Sequence, residues 1–168
     1  TSITSDEIQI DRLDGATGVT DVTPTPEMDA TYNELSFEFD TPIPAGSHLV
    51  MTASDDSGNA TSTLFVADQT GTNAVDTAAA NLDGFDIEGI DMSFAQDTVL
   101  TLDADQLGAL SDHSNTLTIH GGGDDTVNIA GATDTSENSM IGGRSYSHYT
   151  LGDDGGTVII DDEIIVQT

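Results

Sequence analysis

Asn115-Thr-Leu-Thr-Ile-His-Gly-Gly-Gly-Asp-Asp-Thr-Val-Asn-Ile129 is the stretch whose reading decides the fold. Leu117 and Ile119 alternate with polar residues before the glycines, and Val127 and Ile129 do so after them. A period of two marks strands with one buried face. The three glycines supply positive φ without steric cost, and Asp124 and Asp125 concentrate negative charge beside them. The stretch therefore predicts a hairpin or tight connection whose tip offers carboxylates and backbone carbonyls. Such donors suit a hard cation such as Ca²⁺.

The same grammar recurs along the chain. Strands are expected at Ile8–Leu13, Leu35–Phe39, His48–Ala53, Thr61–Val66 and Thr98–Leu102, then at Ser145–Leu151, Gly156–Ile160 and Glu163–Gln167. Asp pairs lie at the bends between them: Asp55/Asp56 with Asn59, Asp124/Asp125, Asp153/Asp154 and Asp161/Asp162. Residues 16–31 read as a loop holding Pro24 and Pro26, residues 82–94 as irregular and partly extended, and residues 133–138 as a polar loop. A short helix is expected from Asp103 to Ser111, with Leu107 and Leu110 facing the core. The fold this predicts is mainly β: a Ca²⁺-stabilised β-sandwich with Ig-like features and one short helix. Residues 1–168 form a single module, with a candidate internal seam near 67–82.

Charge bounds the function. The chain has 31 acidic residues against Arg12 and Arg144, no Lys, and a formal net charge of −29. Nucleic acid and anionic membrane surfaces are excluded as partners, because both are bound through Lys and Arg. Self-repulsion at this density disfavours the compact state, so folding is expected to draw on cations. An acidic surface adapted to salt, without specific sites, is the alternative. No Cys is present, which removes disulfides and thiolate metal sites. No apolar run approaches the roughly 20 residues of a membrane span, so no membrane insertion is expected. The chain begins Thr1-Ser-Ile without an initiator Met or signal peptide, as an excised piece of something longer would.

The candidate metal ligands are Asp55, Asp56, Asn59, Asp124, Asp125, Asp153 and Asp154, since adjacent carboxylates on a sharp turn relieve their repulsion by sharing a divalent cation. Each pair also reads as a solvated turn. His48, His113, His120 and His148 are scattered without metal-ligand spacing. Catalysis finds no support: there is no Gly-x-Ser-x-Gly elbow and no phosphate loop with its Lys, so the chain is not expected to be an enzyme. Arg144 and Tyr146, in Ile141-Gly-Gly-Arg-Ser-Tyr-Ser-His-Tyr149, are the candidate ligand-binding pair for a carboxylate or sugar hydroxyls. An internal ion pair is the competing reading of Arg144.

From His120 onward, Gly-Gly-Gly-Asp-Asp-Thr-Val resembles one turn of a Ca²⁺-binding nonapeptide β-roll. A β-roll needs stacked copies, and one copy is visible, so that architecture is not expected. Pro44-Ala-Gly-Ser-His-Leu-Val-Met-Thr-Ala-Ser-Asp-Asp-Ser-Gly-Asn59 resembles the hairpin of bacterial Ig-like adhesin repeats. Residues 100–127, with Tyr146–Gly152 and Val158–Asp161, look like a segment near the ligand-binding end of giant RTX adhesins. That resemblance implies a Ca²⁺-rigidified module, extracellular on the bacterial cell surface, acting in attachment and biofilm formation. Its implied partners are adjacent adhesin domains and a carbohydrate or peptide on a host or neighbouring cell. The alternative it leaves open is a spacer that positions neighbouring domains and binds no ligand of its own.

Overall fold

The computed structural model describes residues 7–15, 18–29, 31, 34–67, 73–79, 81–82, 84–153 and 156–168. Residues 68–72 and 80 of the expected seam at 67–82, and Asp154, lie outside these. The strands are β1 (Ile8–Asp14), β2 (Gly18–Asp21), β3 (Pro26–Asp29), β4 (Glu34–Phe37), β5 (His48–Ser54), β6 (Ala60–Phe65), β7 (Asn73–Val75) and β8 (Ile87–Asp91). After β9 (Thr98–Thr101) comes the one described helix, α1 (Ala104–Leu110). Then follow β10 (Thr116–His120), β11 (Thr126–Asn128), β12 (Thr133–Ile141), β13 (Arg144–Leu151), β14 (Gly156–Asp161) and β15 (Ile165–Gln167).

The protein is mainly β, with two sheets sharing one apolar core in a sandwich. The larger sheet runs β12-β13-β14-β10-β8-β6-β5-β1-β2, and the smaller β15-β11-β9-β7. Strands β3 and β4 form a separate antiparallel ribbon. The antiparallel pairing that the Ig-like resemblance implies is found at the two ends of the larger sheet, in β2-β1-β5-β6 and β12-β13-β14. Between them β6, β8, β10 and β14 are parallel, and so are all four strands of the smaller sheet.

The chain therefore winds from one sheet to the other in successive coils: β6–β7, β8–β9, β10–β11 and β14–β15. The stretch 115–129 is not a hairpin. Its strands β10 and β11 belong to opposite sheets, and Gly121–Asp125 forms the corner between them. Stacked coils, not expected from a single visible copy of the motif, are present with unlike sequences.

Two aliphatic ladders hold the stack. In the larger sheet Val50, Leu64, Ile90, Ile119 and Ile160 pair side by side across five strands, each at most 1% exposed. In the smaller sheet Val75, Leu100, Val127 and Val166 do the same. Burying one such side chain is worth roughly 1.5–3 kcal/mol, so the ladders are the main stabilising feature. The alternation that marks these strands in the sequence is what turns one row of side chains inward.

Helix α1 is placed by a capping box. The Asp103 carboxylate accepts the Gln106 N–H at 2.8 Å, and the Gln106 side chain accepts the Asp103 N–H at 2.9 Å. Leu107 and Leu110 are buried in the core as expected. Two loop expectations are overturned: residues 18–21 and 26–29 are strands, and 133–138 belongs to β12. The segment 82–94, expected to be irregular and partly extended, holds the central strand β8 at 87–91. Strand β12 is an edge strand wet on both sides, so it lacks an apolar alternation. Gly142 and Gly143, with φ of 59° and 87°, make the two-residue turn that folds it onto β13. Among the described residues no helix is long and apolar enough to cross a membrane.

Candidate metal centre

The corner at Gly121–Asp125 is built by its aspartates. Asp125 is 1% exposed; its Oδ2 accepts the Gly122 N–H at 2.8 Å and its Oδ1 the Thr98 N–H at 3.0 Å, from the preceding coil. A Cβ on Gly121 would stand 2.7 Å from Asp125 Oδ2 and 2.9 Å from Ile164, which is why glycine opens the corner. Asp124 is exposed, and its Oδ2 lies 3.4 Å from the Asp97 amide of the previous corner. Asp97, Asp124 and Glu163 thus fall on successive corners at one side of the stack.

The β5–β6 turn closes on itself. Asp55 Oδ1 accepts the N–H groups of Ser57 and Asn59, and Oδ2 accepts the Asn59 side-chain amide at 2.8 Å. These donors, the Asn59 side chain first, hold the Asp55 carboxyl below its ordinary range. Asn59 turns its NH₂ to Asp55, so Asp55 is satisfied by N–H groups of its own turn, with exposed Asp56 left over. The Asp125 carboxylate is likewise committed. Asp153 is exposed beside a cleft of about 280 Å³ that Asp105 and Asp112 also line.

Arg144 and Tyr146 are brought together, but facing protein. Arg144 Nη2 donates to the Gly121 carbonyl at 2.9 Å and to Glu163, and its Nε lies 3.0 Å from Oδ2 of Asp161, itself 1% exposed. Glu163 and Asp161 hold the guanidinium more firmly protonated than usual. Tyr146 is 2% exposed, and its hydroxyl lies 2.6 Å from His120 Nδ1. Burial first, then the Asp161 charge, raises its pKa. This pair ties β13 to β14, β10 and the corner. The internal ion pair is the reading of Arg144 that the geometry supports.

A different cluster carries metal-ligand geometry. Asp86 precedes β8, and Asp112 and His113 follow α1, so only the stacking of coils makes them neighbours. His113 Nδ1 lies 3.3 Å from Asp86 Oδ2 and 2.8 Å from Asp112 Oδ1, and the three donor atoms fall within 4.8 Å of one another. Asp86 Oδ1 is sealed from solvent and meets no hydrogen-bond donor. A carboxylate oxygen left this way costs free energy until a proton or cation reaches it. The cluster opens onto a cleft of about 610 Å³ that Asp11 and Glu88 also line. Two carboxylates and an imidazole fit a borderline ion such as Mn²⁺ or Zn²⁺ better than Ca²⁺, which prefers oxygen alone. The sequence carried one hint of it, the Asp112-His113 pair after the helix, but nothing that pointed to Asp86.

No family model, no curated protein and no solved structure matches this chain.

Proposed function

We propose that the chain is an extracellular module of a bacterial surface adhesin that serves as an in-line spacer, its compact state supported by divalent cations. The observation that carries this reading is the placement of the first and last described strands. Strand β1 lies beyond β6 at one end of the stack, and β15 belongs to the last coil at the other. Five strand spacings separate β1 from β14, roughly 24 Å at about 4.8 Å each. A chain running through such a stack sets whatever flanks it apart along one axis.

The resemblance of residues 44–59 and 100–127 to adhesin segments supports the setting. The ligand-binding reading draws no support from Arg144 and Tyr146, whose polar groups are turned into the protein. Calcium would act mainly on the uncommitted carboxylates, Asp56, Asp124 and Asp153 among them, relieving the repulsion of 29 net negative charges.

The test is a glycan and peptide array probed in Ca²⁺ with the folded chain. The spacer reading expects no saturable glycan ligand. A glycan bound at one site per chain, and lost on chelation, would replace it with the ligand-binding reading.

A further inference from the structure

The two facing sheets do not end together. In the larger sheet β13 and β12 continue beyond β14, whereas the smaller sheet stops at β15. Residues paired across neighbouring strands share a face. Tyr149 pairs with Val158 and Ser147 with Ile160, which puts both on the core side. Asp134, Asn138 and Met140 join them from β12. Among the described residues no strand of the smaller sheet lies opposite this overhang. Met140 is accordingly 70% exposed, and a cleft of about 390 Å³ opens between Tyr149, Ile160, Ile164 and Val166.

Among the described residues, strand β15 borders the cleft with an open edge. The Ile165 N–H donates to the Asp125 carbonyl, and the Gln167 carbonyl accepts the Ile129 N–H. Residues 165 and 167 are therefore turned toward β11. In a parallel ladder the N–H and C=O of the residue between them, Val166, point the other way.

We infer that this edge takes up an extended, cationic segment of another protein, which adds to β15 as a fifth strand of the smaller sheet and covers Tyr149. An added strand satisfies the backbone groups of Val166 and lays its alternate side chains over Tyr149 and Val166. Charge selects its composition. Asp162, fixed by a 2.7 Å bond from the Ser147 hydroxyl, lines the cleft, and Asp134 stands across from Tyr149. Both carboxylates add to burial in raising the Tyr149 pKa. A second copy of this chain, equally anionic, is repelled from the same edge. The inference goes beyond the spacer reading and does not depend on it.

The experiment measures fluorescence anisotropy of a labelled Lys-Val-Lys-Val-Lys-Val peptide, with Glu-Val-Glu-Val-Glu-Val as control, against the whole chain. One cationic peptide per chain is expected to bind, with the acidic peptide silent. Val166→Pro removes the outward N–H, and Met140→Lys puts a positive charge on the exposed overhang without touching the core; each is expected to weaken binding by about tenfold or more. Met140→Lys decides the matter if Val166→Pro does not fold. No binding, several peptides per chain, or equal affinity in folded variants would overturn the inference, the last two by showing diffuse attraction to an acidic surface.

Discussion

The Asp125 carboxylate accepts the Thr98 backbone N–H at 3.0 Å, so an acid at the corner of one coil holds the first strand residue of the coil before it. Thr98 is itself fully buried, so its N–H depends on an acceptor inside the protein. The corner aspartate is thus a structural tie between coils, whatever cation its neighbour Asp124 meets.

Asp125→Ala leaves the N–H groups of Thr98 and Gly122 without acceptors inside the protein. At about 1–3 kcal/mol for each unsatisfied group, the variant is expected to lose roughly 2–6 kcal/mol in urea unfolding. Asp124→Ala, at an exposed site, is expected to change stability by less than about 0.5 kcal/mol in the absence of divalent ions. Equal losses in the two variants would contradict the distinct roles given to these neighbours.

Arg144→Gln strands the buried Asp161 carboxylate. Removing one partner of a wholly buried pair costs about 3–5 kcal/mol, and here less, about 1–3 kcal/mol, because the Arg144 side chain is 40% exposed to water. Calorimetric melting of the variant checks this. A melting point unchanged from wild type would mean that Arg144 is free for an outside ligand after all.

His48 predicts a pH dependence. Burial lowers its pKa below the ordinary 6.5, and its Nδ1 receives the Ala67 N–H at 3.3 Å, a role only the neutral ring can fill. As pH falls, the unfolded chain takes up this proton first. The contribution is therefore complete above pH 6.5 and is lost as pH drops through the lower folded-state value. Stability in fixed salt should decline from pH 7 toward pH 5, and His48→Gln should flatten that decline. NMR titration of the imidazole above 6.5 would contradict the assignment.

Asp86, Asp112 and His113 predict metal selectivity. Isothermal titration of Mn²⁺ or Zn²⁺ should give one site per chain, abolished in Asp86→Asn and weakened in His113→Ala, with Ca²⁺ binding there more weakly. Asp86→Asn should also leave the metal-free protein no less stable, since its sealed oxygen has no partner to lose. Binding that survives both substitutions would place the ion elsewhere.

Much of the strand content could be read from alternation, because each inward row needs apolar residues at every second position. Leu117/Ile119 and Val158/Ile160 show it plainly, and Asp103 marked the helix start. The stacking could not be read so. Leu64, Ile90, Ile119 and Ile160 recur at unequal intervals, since α1 interrupts one coil and the β12–β13 hairpin another. No fixed period survives such insertions. Strand β12 escaped for a different reason: with water on both faces, Thr133–Asn138 has no need of apolar residues. The aspartate turns were visible as turns, but not that Asn59 and backbone N–H groups close the Asp55 turn on itself. Asp86 and His113 meet only through the coil between them.

The account rests most heavily on divalent cations relieving the repulsion of an acidic stack. Thermal unfolding in Ca²⁺ and in chelator, at one fixed ionic strength set with NaCl, tests this directly. With calcium at about 100 times its dissociation constant, mass action contributes about 2.7 kcal/mol, a rise of roughly 5–10 °C for a chain of this size. That rise, largely lost on chelation, is the predicted result; identical melting curves in the two buffers would contradict the account.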